Sequence, residues 1–132
     1  MTIGVDLDGT LSKAGLWNPS LTLPWWLFIF LVPLVFFMRP DAKAVRKINE
    51  MKDRGHKVIV ISARPPWARA MTIRWLRFHR VPFDEVFCVG FGKGTGKRKL
   101  ELIKREKIMH FFDDSRKMVE FLNHNSVEAE HL

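Results

Sequence analysis

Asp6 and Asp8 stand two positions apart in GVDLDGTL, residues 4–11, inside an otherwise apolar opening run. A second acidic pair, Asp113-Asp114, closes the run FFDD far downstream. Buried carboxylates are costly unless something pairs with them, and several close together cannot all stay ionised without a cation. Hard oxygen ligands with no His or Cys suit Mg²⁺ better than zinc. Mg²⁺ held by a few carboxylates keeps an open face for a phosphate. One carboxylate can then act as a nucleophile toward phosphorus. A second, on the same strand face, can donate and accept a proton. Ser62 and a lysine can balance charge on the phosphoryl oxygens.

Such groups need elements that bring them to one place. Residues 2–7, TIGVDL, read as a short buried strand that ends on the first acidic pair, broken by Gly9-Thr10. Asp41 is a candidate N-cap for a helix carrying Val45 and Ile48 and stopping at Gly55. KVIVIS, 57–62, is a β-branched run typical of a strand buried on both faces. Trp67, Met71, Trp75 and Phe78 recur at helical spacing over about 67–79, and that stripe reads as a core face. EVFCVG, 85–90, and IMHFF, 108–112, read as further strands, with helices after each around Leu100–Ile103 and Met118–Leu122. The polar tail from Asn123 is expected to fray. The class is therefore α/β: a Rossmann-like parallel sheet of about four strands with flanking helices. Parallel sheets bind ligands at the carboxyl ends of their strands. Asp6, Asp8, Ser62, Asp113 and Asp114 all fall at such ends.

These residues resemble the signatures of the haloacid dehalogenase-like (HAD) superfamily, in that family's order. Asp6-Leu7-Asp8-Gly9-Thr10 looks like its first motif, VIVIS ending on Ser62 its second, a lysine before the last strand its third, and FFDDS its fourth. The resemblance covers residues 2 to about 122. It implies a small, essentially capless phosphatase, a phosphoric monoester hydrolase acting through an aspartyl phosphate. In that scheme Asp6 is the nucleophile and Asp8 the acid/base. Mg²⁺ is held by Asp6, the Asp8 backbone carbonyl, and either Asp113 or Asp114. Ser62 holds the phosphoryl group, with Gly9 and Thr10 as further phosphate-binding residues. Spacing in similar proteins favours Lys99 over Lys97 as the phosphate lysine. Arg64, in SAR, is similar to the SGR stretch of relatives acting on nucleotides or nucleic-acid ends; its competing role is to brace the strand-to-helix turn.

At 132 residues the chain suits a single domain, and 47% hydrophobic with 27% charged residues suits a folded one. A net charge of +8 favours anionic partners: phosphorylated small molecules, a nucleic-acid end, or an anionic membrane surface. Arg69, Arg74, Arg77 and Arg80 add basic positions to one helix. Cys88 is the only cysteine, which excludes an intrachain disulfide and a Cys-based zinc site. It fits a reducing, cytoplasmic setting, and the opening residues lack the basic n-region of a secretory signal. GFGKGTGKRK is not a P-loop, because Gly96-Lys97 is followed by Arg98 and Phe91 sits where the first Gly belongs. It reads as a basic loop beside the site. The five histidines show no metal-ligand spacing, and His110 alone lies on a strand leading to the acids.

An apolar insert occupies about 15–40. Its stretch 21–38, LTLPWWLFIFLVPLVFFM, has no charge. Asp6 precedes it and Ser62 follows it, so a single membrane span would separate two parts of one site. A flap or very small cap is expected here, with three competing roles: peripheral membrane contact, a homo-oligomer interface, or a lid on its own domain. A greasy flap raises a second functional reading, a membrane-associated phosphatase of a lipid-like phosphate. A non-catalytic, membrane-docked binding module is the third.

Overall fold

The alternation within β1 (Thr2–Asp6) puts one strand at the centre of the sheet and divides the core between its two faces. The computed structural model describes residues 1–6, 42–90 and 93–132. Ile3 and Val5 face α1 (Ala42–Asp53), whose Ala44, Ile48 and Met51 are buried at helical spacing. The same layer takes Val58 and Val60 of β2 (Lys57–Ser62), and Trp75 and Leu76 of α2 (Arg69–Phe78). The opposite face collects Ile59 and Ile61 with Leu102 and Ile103 of α3 (Thr95–Arg105) and Leu122 of α4 (Arg116–His124). Because β2 alternates between two buried faces, every position after Lys57 is apolar until Ser62.

β3 (Glu85–Cys88) and β4 (His110–Asp113) complete the expected strands, and β5 (Ala129–His131) adds a fifth. All pairings are parallel, in the order β3-β2-β1-β4-β5. The chain therefore runs outward from β1 to β3, then crosses back to place β4 on the other side of β1. That reversal opens a crevice at the carboxyl ends of β1 and β4, the usual ligand position in such sheets. The two strands pack closely there. A Cβ at Gly4 would come within 2.6 Å of the buried Phe111 ring, so only glycine fits.

Two expectations need correction. The tail does not fray: β5 pairs with β4, Val127 is buried, and Leu132 packs against the α1 layer. A short polar edge strand has no apolar alternation to reveal it, because its stability comes from ladder bonds. The Trp67–Phe78 stripe is not a continuous core face. Pro66–Ala68 forms a 3₁₀ turn with its own period, and Trp67 is 72% exposed on it. Phe78, at the helix end, is 53% exposed, and the buried positions of α2 are Thr72, Trp75 and Leu76. Among the described residues no helix is long and apolar enough to cross a membrane. The insert at 15–40, with its stretch 21–38, lies outside the described residues.

Candidate active site

Asp6 ends β1 and Asp113 ends β4, and the register Val5↔Phe112 sets them side by side. Both are buried. Asp114 follows, half-buried, and one carboxylate oxygen from each of the three acids lies within 4.8 Å of the others. Lys99 enters from α3, on the same face of the sheet. It is 4% exposed, and its Nζ stands 3.3 Å from Asp113 Oδ2 and 3.6 Å from Asp6 Oδ1. The neighbouring Lys97 is exposed on the first turn of the same helix.

Among the described residues, three carboxylates gather around the Lys99 ammonium. Burial pushes the Asp113 carboxyl up to about 7, and the charge of Asp6 pushes the same way. Lys99 and the Ser115 amide oppose that shift, while Asp114 adds to it. The Ser115 N–H donates to Asp113 Oδ1 at 2.8 Å. Ser115 also caps α4, its hydroxyl accepting from the Met118 N–H at 3.3 Å. Three carboxylate oxygens this close together fit a hard divalent cation, which would offset the cost of keeping Asp113 ionised.

The backbone behind the acids is held by β5. The Leu132 N–H donates to the Asp113 carbonyl at 3.0 Å, and His131 Nε2 donates to the Asp114 carbonyl at 2.9 Å. Neither residue was singled out from the sequence, because the tail carries no motif. His110 does not enter the cluster; its ring nitrogens face Glu128 and Glu130.

Ser62 ends β2, one residue past Ile61, the register partner of Asp6. Its hydroxyl accepts from the Arg64 N–H at 3.0 Å, closing a tight turn. Arg64 is 1% exposed, and its guanidinium lies 4.3 Å over the Trp75 ring. Its Nη1 donates to Thr72 Oγ1 at 3.1 Å, and that hydroxyl donates to the Ala68 carbonyl at 2.8 Å. The Arg64 carbonyl accepts from the Gly90 N–H at 2.9 Å. Arg64 thus ties the end of β2 to α2 and to the loop after β3. Thr72 was missed by sequence reasoning; a hydroxyl inside an apolar helix face is the one signal for it.

The structure therefore brings together Asp6, Asp113, Asp114 and Lys99, with Ser62 at the adjacent strand end. Asp8, Gly9 and Thr10 lie outside the described residues.

Neither a protein-family model nor a curated protein matches the chain. Among solved structures, chains from the Pnkp1/Rnl/Hen1 RNA repair complex match at a TM-score of 0.73 and 18% identity, over 99% of this chain. The chain spans 42% of the length of one and 45% of the other. At that identity the likeness shows a shared α/β fold.

Proposed function

We propose that the chain is a Mg²⁺-dependent phosphate monoester hydrolase of the HAD type, acting on a nucleic-acid end through an aspartyl phosphate. The observation that carries this reading is Lys99 bridging Asp6 and Asp113 at the sheet's crevice, with Asp114 beside them. An Asp6 oxygen attacks phosphorus as the bond to the leaving alcohol breaks. Asp8 gives the departing oxygen its proton, then takes one from the water that hydrolyses the aspartyl phosphate. Inorganic phosphate leaves and Asp6 is regenerated. Lys99, Ser62, Gly9 and Thr10 hold the phosphoryl oxygens. Asp6 and the Asp113-Asp114 pair, with the Asp8 carbonyl that the family resemblance adds, would hold a Mg²⁺ ion, which would supply charge neutralisation at the phosphate.

The nucleic-acid end is supported by the +8 charge and by the fold shared with a chain of an RNA repair complex. The uncharged run 21–38 favours a second reading, a lipid-borne phosphate at a membrane surface. The test is phosphate release from an aryl phosphate, with Mg²⁺ and with chelator, for wild type and Asp6→Asn. Metal-dependent release that Asp6→Asn abolishes is expected. A panel of 3′- and 5′-phosphorylated oligonucleotides and lipid phosphates then separates the two substrates. Folded protein that releases no phosphate from any of them overturns the reading in favour of a binding module.

A further inference from the structure

The positive charge is unevenly placed on the molecule. In the described segments at the carboxyl edge of the sheet, 63–69, 93–98 and 114–118, seven residues are basic and only Asp114 is acidic. The segments at the amino edge, 54–57, 79–85, 106–109 and 125–128, hold four bases and four acids. The carboxyl-edge bases include exposed Lys93 and Lys97 at the start of α3, and Arg116 and Lys117 at the start of α4. One terminal phosphate needs only the acids' cation and Lys99. A row of exposed cations from two successive helix starts matches a longer polyanion.

Trp67 lies on the same edge. The Pro65-Pro66 pair and the 3₁₀ turn hold it in place, with the Ala68 N–H bonded to the Pro65 carbonyl at 2.9 Å. A tryptophan at 72% exposure on a rigid turn supplies an apolar face to solvent. It is five residues from Ser62, so the two Cα atoms are at most about 18 Å apart. A base stacks on such a face whatever its identity.

From these two features, and resting on the proposed phosphatase reading for the position of the terminal phosphate, we infer that Trp67 and the cationic carboxyl edge form a binding track for single-stranded nucleic acid. Trp67 stacks a base near the phosphorylated end, and Lys93, Lys97, Arg116 and Lys117 contact backbone phosphates. A phosphorylated lipid headgroup has no flat base to stack on the ring.

Binding tests this independently of turnover. The probe is a fluorescein-labelled single-stranded RNA, followed by anisotropy with chelator present, so failure of catalysis leaves the measurement intact. Trp67→Ala is expected to weaken binding roughly 5- to 150-fold, and Trp67→Phe to recover most of it. Hydrolysis of an aryl phosphate stays at the wild-type rate in both. Lys93→Gln with Lys97→Gln should flatten the slope of log affinity against log salt by about 1.4. Wild-type affinity in Trp67→Ala overturns the track. So does a Trp67→Ala loss on phosphatidylserine vesicles with none on RNA, which would assign the edge to a membrane. Tight RNA binding with no phosphate release on any substrate would keep the track and sink the phosphatase reading.

Discussion

Lys99 Nζ sits 3.3 Å from Asp113 Oδ2, joining the first half of α3 to the last residue of β4 with both side chains buried. Asp6 shares the same ammonium at 3.6 Å. Lys99 is therefore the one cation that the described chain places between the two strand-end acids.

Replacing Lys99 by Met should be costly at neutral pH. Removing one partner of a buried pair leaves an uncompensated charge, a loss of about 3 kcal/mol or more. Urea denaturation at pH 7 without metal should show that loss. At pH 5 it should shrink, because Asp113 then takes a proton. Phosphatase turnover should fall at least 100-fold, since in the proposed mechanism the same ammonium holds the phosphoryl oxygens.

The pH dependence of the metal-free protein follows from Asp113. Its folded value of about 7 lies above the ordinary carboxyl value of 3.8. Between those values the folded state binds more protons than the unfolded one, so stability falls as pH rises from about 4 to about 7. Asp113→Asn should remove most of that slope. Mg²⁺ should raise the melting temperature more at pH 8 than at pH 5, because binding below pH 7 must first displace the proton. A flat profile in chelator would contradict the burial of this carboxyl.

Arg64 separates a bracing role from a phosphate contact. Its guanidinium stacks on Trp75 and bonds Thr72, with the whole side chain buried. A desolvated cation–π contact contributes about 2 kcal/mol, and Lys reproduces neither the stack nor the fork. Arg64→Lys should lower stability by about that amount in thermal denaturation, with KM on an aryl phosphate rising only as the Ser62 turn loosens. Unchanged stability with a large loss in KM would place the guanidinium on the substrate instead.

β5 braces the candidate metal-binding acids from behind. Truncation after Ser126 removes the Leu132 bond to Asp113 and the His131 bond to Asp114. Supports behind a ligand shell are worth about 10-fold or more in metal affinity. Titration with Mn²⁺ should show that loss, and His131→Ala alone a smaller one.

The α/β class, four of the strands and the acids at their ends were legible from the sequence. The reason is local: β-branched runs such as KVIVIS and strand-end acids advertise themselves whatever lies across the sheet. The choice among lysines was only half legible. Lys97 and Lys99 differ by two positions on one helix, which is about 200° of rotation and so opposite faces. Packing α3 against Ile59 and Ile61 decides which of them is buried.

Other features belong to the tertiary structure alone. β5, Ala-Glu-His, is too short and too polar to show an apolar pattern, and exists because β4 offers it a row of backbone partners. Trp67 leaves the core because a 3₁₀ turn shifts the helical phase that its spacing suggested. The Asp113 carboxyl is raised first by burial and then by Asp6, from a strand more than a hundred residues away in sequence. Sequence determined which groups stand at the strand ends, through periodicity and turn residues. Strand order determined which of those ends meet, because only the crossing of β4 beside β1 brings two distant carboxylates and one lysine into the same small volume.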